Sequence, residues 1–260
     1  MNKYLFDTKE MAKKPYFTVS LSAKTPEETI SVIRNAVFEG ADAFLIHLEQ
    51  FAPEYRTKET LEQIYSYTED KPIMTLNYRS AFSSNQSDDE RSKLQLLSVE
   101  AGAGCVDMMA DYFDPNPQQM TYSKEAIKKQ KEYIDTIHQM GGQVLISSHP
   151  PYKTKEELLE YMFIMQERSA DIAKVAMRCD TQEQADSLWD STIELKKQLD
   201  IPFLLIGTGT YGKAHRALAP VFGSCMVLCV QEYRPGFHKE KVLLKAAKSV
   251  YDNLDYKNYR

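Results

Sequence analysis

A lysine and a histidine are associated with two consecutive strand-like segments. Lys174 lies within the apolar run at residues 170–177, and His149 directly follows the run at 144–148. Burial disfavours the charged ammonium of a lysine and so favours the neutral amine, which is a nucleophile towards carbonyl carbon. A nearby histidine can then transfer protons at the carbon bonded to that nitrogen. The pair indicates covalent amine catalysis, and the alternative is that Lys174 points outward to solvent, as most lysines do.

Further charged and polar side chains follow other apolar segments of the same kind. Enzymes built from alternating strands and helices as a barrel carry their catalytic groups at the carboxyl ends of the strands. Arginines and histidines at one such mouth suit a carboxylated, hydroxylated substrate, because a guanidinium binds a carboxylate through paired hydrogen bonds. We therefore expect these residues to share a site with the lysine and the histidine: His47, Asn77, Arg79, Asp107, Arg216, Arg234 and His238.

The elements that must position these groups are short strands separated by helices. Thr25-Pro26-Glu27-Glu28 has a capping residue, a proline at the first helical position and acidic first-turn residues, and Thr154 and Thr181 open similar stretches. Strands that are apolar on both faces and alternate with helices form a covered parallel sheet. Eight such units in 260 residues predict an α/β protein, a single (β/α)8 TIM barrel forming one domain over residues 1–260. The eight segments are 17–21, 43–48, 73–76, 105–109, 144–147, 172–176, 203–206 and 226–230.

Composition excludes several classes of function. The net charge is −5 and the basic residues are scattered, which gives no electrostatic basis for binding nucleic acid. No apolar run is long enough for a membrane span and residues 1–14 are polar, so we expect a cytoplasmic protein without a membrane partner. The cysteines (Cys105, Cys179, Cys225 and Cys229) lack the spacing of a zinc site and are expected to be reduced core thiols.

Several motifs along the chain resemble those of one enzyme family. They are Ser-Ser-His at 147–149 followed by Lys153-Thr154, Ala-Asp-Ile-Ala-Lys-Val-Ala at 170–176, Gly-Lys-Ala-His-Arg at 212–216 with Val-Phe-Gly-Ser at 221–224, Ala-Gly-Ala-Gly-Cys-Val-Asp at 101–107, and Arg-Ser-Ala at 79–81. With these motifs, residues 15–250 resemble type I 3-dehydroquinate dehydratases. The spaced histidine and lysine are the most specific element of the resemblance.

The resemblance implies a lyase of the shikimate pathway that removes water from 3-dehydroquinate to give 3-dehydroshikimate. Lys174 would form a Schiff base with the substrate ketone, and the iminium would acidify the adjacent carbon. His149 would remove that proton and then return one to the departing hydroxyl, while Arg216 would hold the carboxylate. No metal or organic cofactor is needed, because the protonated imine withdraws the electrons. The family also suggests a homodimer.

The chain departs from the family pattern at positions that hold substrate hydroxyls. Leu45 and His47 stand where the second strand of the family carries glutamate and arginine, and Ser83 stands for a loop glutamate. Met109 replaces a strand-four glutamate, and Phe237 replaces the glutamine of the loop after strand eight. We expect substrate contacts from the remaining polar groups near these positions, which are Arg79, His47, Ser83, Arg234 and His238.

Two other functions are compatible with these residues. One is a lyase of the same family that uses the same lysine and histidine on a different oxo-acid or a sugar-derived ketone. The other is a barrel that binds a small carboxylate without turnover. The presence of His149, Lys174 and Arg216 together favours an enzyme over the second of these, and trapping of an imine at Lys174 discriminates between all three.

Overall fold

A parallel β-sheet with helices on its outer face forms the body of the molecule. The computed structural model describes residues 4–80, 85–233 and 240–254. The strands are β1 (Tyr16–Leu21), β2 (Ala43–His47), β3 (Ile73–Leu76), β4 (Cys105–Met109), β5 (Gln143–Ser148), β6 (Ile172–Arg178), β7 (Phe203–Thr208), β8 (Met226–Val230) and β9 (Val242–Leu243). The helices are α1 (Thr8–Met11), α2 (Pro26–Phe38), α3 (Lys58–Tyr65), α4 (Asp88–Glu100), α5 (Lys124–Gln139), α6 (Lys155–Glu167), α7 (Gln182–Gln198), α8 (Gly209–Leu218) and α9 (Leu244–Tyr251).

The sheet curls into a TIM-barrel-like fold, which confirms the predicted class. Its strand order is β7-β6-β5-β4-β3-β2-β1-β8-β9, and every pairing is parallel. The first and eighth predicted strands are therefore neighbours, as a barrel requires. Near the amino ends of β7 and β8, the backbone N–H of Cys225 donates to the carbonyl oxygen of Phe203 at 2.7 Å. The ninth strand was not predicted, and it extends the sheet beyond β8.

Strand alternation gives the sheet an inner and an outer face. Successive side chains of a strand point to opposite faces, so Ile172 and Lys174 point into the barrel while Ala173 and Val175 pack under the helices. The inner face is filled by large aliphatic side chains in its lower part. These include Leu45, Leu76, Leu145, Ile172, Leu204 and Leu228. The polar inward positions lie above this apolar layer, towards the carboxyl ends of the strands.

The helices begin where the capping residues predict. The side chain of Thr25 accepts a hydrogen bond from the backbone of Glu28, and Thr154 and Thr181 each take part in a complete capping box. The polar stretch that follows β3 contains the start of a helix. Ser87 caps α4 with Glu90 in a capping box, so the helix begins at Asp88. The sequence Ser-Asp-Asp-Glu at 87–90 already carried that signal.

The cysteines lie in the environment that the composition predicts. All four cysteines are buried and free of disulfides, as expected for core thiols. None of the helices in the described ranges combines the length and apolar character needed to cross a membrane. The same residues contain no group of three or more histidine, cysteine or acidic side chains placed to hold a metal ion.

Candidate active site

A cavity of about 380 Å³ opens at the carboxyl ends of the strands. Its base is apolar and is formed by side chains from four strands, with Leu45 and Leu76 on one side and Ile206 and Leu228 on the other. Around this base lie the charged and titratable side chains that give the cavity its chemistry: His47, Glu49, His149, Lys174, Arg216 and Lys241. The cavity therefore combines a low-dielectric base with several charged groups, a setting in which electrostatic interactions are strengthened.

Lys174 lies inside the barrel mouth in a buried ion pair. Its side chain on β6 is 5% exposed, and Nζ lies 2.8 Å from Oδ2 of Asp107 on β4. The other oxygen of Asp107 accepts a hydrogen bond of 2.5 Å from the hydroxyl of Ser147 on β5. Because β4, β5 and β6 are adjacent, these three inward side chains meet at one level of the barrel. The carboxylate thus compensates the buried ammonium and is a ready acceptor for its proton.

His149 presents a neutral imidazole to the same cavity. Burial lowers its pKa to about 3, and the positive charge of Lys174 adds to this effect. Nδ1 is buried and has no hydrogen-bond partner among the residues described. Two contacts hold the residue in place. The ring of Tyr78 packs edge-on against the imidazole with the ring centroids 5.1 Å apart, and the backbone N–H of His149 donates to Oε1 of Gln119. The imidazole is therefore neutral, held in place by its neighbours, and able to accept a proton.

Arg216 enters the cavity from α8. Burial lowers the pKa of its guanidinium, an effect that Glu240 partly opposes. Nε is buried, and within the described ranges it has no hydrogen-bond partner. A buried donor that has lost water without gaining an acceptor costs free energy, so this nitrogen favours an anionic partner. A substrate carboxylate would supply that acceptor.

His47 belongs to a hydrogen-bonded chain on the wall formed by β1 and β2. Its Nδ1 lies 2.9 Å from Oε1 of Glu49, and its Nε2 lies 3.1 Å from the hydroxyl of Ser20. The same hydroxyl accepts a hydrogen bond of 2.6 Å from Nζ of Lys241. Burial lowers the pKa of Lys241 to about 8, and the charges of Arg216 and Lys174 act in the same direction.

Several polar groups at the cavity were not identified from the sequence, among them Ser20, Glu49, Tyr78 and Lys241. Glu49 carried one usable signal, because it lies two residues beyond His47 in the turn that follows β2. Lys241 carried none, since it lies in a polar, lysine-containing segment and reaches the cavity only through the pairing of β9 with β8.

The prediction that Arg79 and Asn77 share the site is corrected by their contacts. Arg79 does not line the cavity; it forms ion pairs of 2.6 Å with Asp88 and 2.7 Å with Asp111. It therefore ties the segment after β3 to the start of α4 and to the segment after β4. Asn77 is buried, with its amide nitrogen 3.5 Å from the carbonyl oxygen of Arg91.

Three predicted contacts cannot be placed in this geometry. Ser83, Arg234 and His238 lie outside the described residues, as does Phe237. Of the predicted residues within the described ranges, four line one cavity: His47, His149, Lys174 and Arg216. Asp107 does not line the cavity but forms the ion pair with Lys174.

Comparisons with known proteins identify relatives of this chain. The 3-dehydroquinate dehydratase of Clostridium kluyveri is 37% identical over 106 residues, a match that covers 39% of this chain and 40% of that enzyme. The enzyme of the same name from Clostridium novyi is 26% identical over 214 residues, which is 80% of this chain and 79% of that enzyme. The crystal structure of type I 3-dehydroquinate dehydratase from Clostridium difficile, with covalently modified comenic acid, has a TM-score of 0.78 at 20% identity and covers 94% of both chains. Residues 17–251 match the type I 3-dehydroquinase family, and the chain belongs to that family.

Proposed function

We propose that this protein is a Schiff-base lyase that converts 3-dehydroquinate to 3-dehydroshikimate with loss of water. The observation that carries the proposal is the buried amine of Lys174, which shares one cavity with the neutral imidazole of His149 and the guanidinium of Arg216. Membership of the type I 3-dehydroquinase family and the names of the relatives support the substrate. The reaction is a carbon–oxygen elimination of the shikimate pathway.

The first stage is formation of the imine. Asp107, 2.8 Å from Nζ, accepts the ammonium proton of Lys174 and leaves a neutral amine. The amine adds to the ketone carbon of the substrate to give a carbinolamine. Asp107 then returns its proton to the hydroxyl of the carbinolamine, which leaves as water, and a protonated imine remains. The positive nitrogen then withdraws electrons from the adjacent carbon and lowers the barrier to removing its proton. This chemistry needs no metal or organic cofactor.

The second stage is the elimination itself. His149 takes the proton from the carbon next to the imine, and the electron pair moves to form an enamine. The enamine expels the hydroxyl on the following carbon, and the same imidazole returns its proton to that oxygen, so that water leaves. A water molecule then hydrolyses the imine and regenerates the amine of Lys174. A neutral histidine in the resting enzyme suits the first of these steps, because only the free base accepts the proton.

Arg216 binds the substrate carboxylate in this scheme. Its guanidinium faces the cavity and has the fork geometry that pairs with a carboxylate. Holding this group at a fixed distance from Lys174 aligns the ketone with the amine.

We further infer a cytoplasmic homodimer in which residues 1–260 form one domain. The scattered distribution of charged residues is consistent with this location, and the resemblance to the family suggests the dimer. Sedimentation equilibrium of the purified chain tests the assembly state, and a monomer at micromolar concentration would refute the dimer.

Trapping the imine tests the proposed function. Borohydride reduces a protonated imine to a stable secondary amine, so wild-type protein treated with 3-dehydroquinate should carry an adduct on the peptide containing Lys174. The conjugated double bond of the product should appear in parallel by ultraviolet absorbance. The absence of both the adduct and the product would refute the proposal.

The His149→Gln variant separates the two stages. It should still form the adduct at Lys174 while product formation falls by about 10²-fold or more, the range that general acid–base catalysis supplies. Near-normal turnover in this variant would show that another group is the base, and His47 would be the first to examine.

A further inference from the structure

Lys241 ends a chain of four hydrogen-bonded side chains on one wall of the cavity. Its Nζ lies 2.6 Å from Oγ of Ser20, which lies 3.1 Å from Nε2 of His47. Nδ1 of His47 then lies 2.9 Å from Oε1 of Glu49, a carboxylate that is 2% exposed. A consistent set of donors runs through this chain when His47 is neutral and protonated on Nδ1. The ammonium donates to the serine, the serine hydroxyl to the imidazole, and the imidazole to the carboxylate.

The backbone of Lys241 is fixed as firmly as its side chain. The residue directly precedes β9, where Val242 is the register partner of Cys229 on β8. Its carbonyl oxygen also accepts a hydrogen bond of 3.1 Å from the hydroxyl of Tyr233. These contacts hold the ammonium at the cavity, so little side-chain entropy remains to be lost when an anion binds.

The charges of the cavity are not balanced. Asp107 compensates Lys174, and Glu49 is engaged by His47. Within the described ranges, Arg216 and Lys241 line the cavity without an ion-pair partner. Burial lowers the pKa of both side chains, and the charge of Arg216 lowers the pKa of Lys241 further. Two cations above an apolar base form a site for an anion, because charge-assisted hydrogen bonds are strongest where water is excluded.

We propose that Lys241 is a substrate-binding residue that holds the substrate carboxylate together with Arg216, and that Ser20 and His47 position its ammonium. The inference rests on the proposed function. It gives this chain a carboxylate site with two cations, one of them from the segment that joins β8 to β9. None of the motifs by which the sequence resembles its family includes Lys241. The second cation offsets the loss of other polar substrate contacts, such as those at Leu45.

Binding of quinate tests this assignment apart from catalysis. Quinate has the ring and carboxylate of the substrate but a hydroxyl in place of the ketone, so it cannot form an imine. Calorimetry at pH 7 should show that Lys241→Met weakens quinate binding by about 10- to 100-fold, the effect expected for one charge-assisted hydrogen bond. Lys245→Met, which removes an exposed lysine of α9, should leave the affinity unchanged.

Kinetics on 3-dehydroquinate should place the effect in KM. Lys241→Met should raise KM by a similar factor while kcat changes by less than about threefold, because the residue binds the carboxylate equally before and during the reaction. Lys241→Arg should restore much of the loss by keeping the charge. Ser20→Ala removes only the group that orients the ammonium, so it should raise KM by a smaller factor.

The pH dependence gives an independent readout. Burial is the main reason that the pKa of Lys241 is lowered to about 8; the positive charges of Arg216 and Lys174 lower it further, while Cys229 and Glu49 act in the opposite direction. Quinate affinity in the wild type should therefore fall above pH 8, as the ammonium loses its proton. Lys241→Arg should bind quinate with little change between pH 7 and pH 9, because an arginine stays charged over this range.

Each outcome decides the inference. Unchanged quinate affinity and KM in a folded Lys241→Met protein would overturn it, and so would a wild-type protein that does not bind quinate. If Lys241→Met does not fold, the pH profile of Lys241→Arg replaces it as the test. In that case the inference would be contradicted if Lys241→Arg still lost quinate affinity above pH 8. A wild-type protein that binds quinate but does not dehydrate 3-dehydroquinate would refute the proposed function while leaving the binding test valid.

Discussion

At Lys174, one carboxylate pairs with the buried ammonium and, in the proposed mechanism, also accepts its proton. Asp107 is buried, and its second oxygen is engaged by Ser147, so it is fixed in place by two hydrogen bonds. Removing one partner of a buried ion pair leaves an uncompensated charge, which costs several kcal/mol. A substitution at Lys174 therefore affects stability and chemistry together, and a single variant cannot separate the two effects.

We expect Lys174→Ala to abolish dehydration and Lys174→Arg to abolish it as well. Both remove the amine that forms the imine, so the loss should span several decades, but the arginine keeps a positive charge beside Asp107. The two variants should thus have the same activity and different stability, with the alanine variant unfolding at lower urea concentration. Product formation and urea denaturation measure the two quantities. Dehydration by Lys174→Arg at more than about 1% of the wild-type rate would argue against covalent catalysis.

The two candidate catalytic residues could be identified from the sequence because each is associated with a predicted strand. Lys174 lies inside an apolar strand and His149 directly follows another. The strand is apolar on both faces, so the sequence did not determine whether the lysine points into the barrel or outward, and the fold places both side chains at the cavity. The role of Lys241 depends on how a short ninth strand pairs with β8, and no periodicity in the sequence specifies that pairing. Arg79 was misplaced for a related reason. The carboxylates of Asp88 and Asp111 that bind it lie on other segments, and only the folded chain brings them to it.

At the scale of single elements, α8 positions Arg216 by packing directly on the backbone of β7. A Cβ atom on Gly212 would lie 2.6 Å from the carbonyl carbon of Gly207, far inside normal contact distance. Only glycine permits this approach of helix to strand. The same helix carries His215, which is fully buried between Thr192 and the backbone N–H of Gly207. The helix is thus held to the strand at two points on the turn that precedes the arginine.

We expect Gly212→Ala to destabilise the protein by about 1–3 kcal/mol, the usual effect of overpacking. The added methyl group must push α8 away from β7, and Arg216 lies one turn further along that helix. KM for 3-dehydroquinate should therefore rise more than kcat falls. Lys213→Ala, at the exposed neighbouring position, serves as the control and should change stability by less than about 0.5 kcal/mol. Equal stability of the two variants would show that the contact is relieved elsewhere.

At the scale of the whole molecule, two buried histidines couple folding to pH. Burial lowers the pKa of both His149 and His215 from 6.5 to about 3. Below pH 6.5 the unfolded chain binds protons that the folded chain does not, so the free energy of unfolding falls as the pH falls from about 6.5 towards about 3. Above pH 6.5 both imidazoles are neutral in either state, and they contribute no further change.

We expect the free energy of unfolding to fall less steeply with decreasing pH in His149→Gln, because the variant lacks one of the two histidines with a lowered pKa. Between about pH 6.5 and pH 3, one such histidine changes the free energy of unfolding by at most about 1.4 kcal/mol per pH unit. Urea denaturation at several pH values between 7 and 4.5 measures the slope for the variant and the wild type. His138→Gln, which removes an exposed histidine of α5 together with its 2.9 Å ion pair to Asp171, is the comparison for the loss of an imidazole outside the core. Identical slopes for His149→Gln and the wild type would contradict burial of a neutral imidazole in the folded state.

Under the proposed function, the composition of the whole cavity predicts how well the protein uses 3-dehydroquinate. The substrate carboxylate would meet two cations, but the base of the cavity, which includes Leu45, is apolar. Leu45 and Met109 also stand at positions where the sequence resemblance implies acidic groups. Each lost charge-assisted hydrogen bond is worth about 1.5–3 kcal/mol, so two or three such losses lower kcat/KM by roughly 10³-fold or more.

We therefore expect kcat/KM for 3-dehydroquinate below about 10⁴ M⁻¹ s⁻¹, at the lower end of the range for enzymes. Analogues that lack a ring hydroxyl but keep the ketone and the carboxylate should be used almost as well, because the apolar base has few partners for that hydroxyl to lose. A site built to bind the hydroxyl would instead reject the analogue by several orders of magnitude. Steady-state kinetics on 3-dehydroquinate and on such analogues discriminate between these outcomes. High efficiency with strict dependence on the hydroxyls would mean that residues beyond the described cavity supply the missing contacts, with Ser83 and Arg234 the first to substitute.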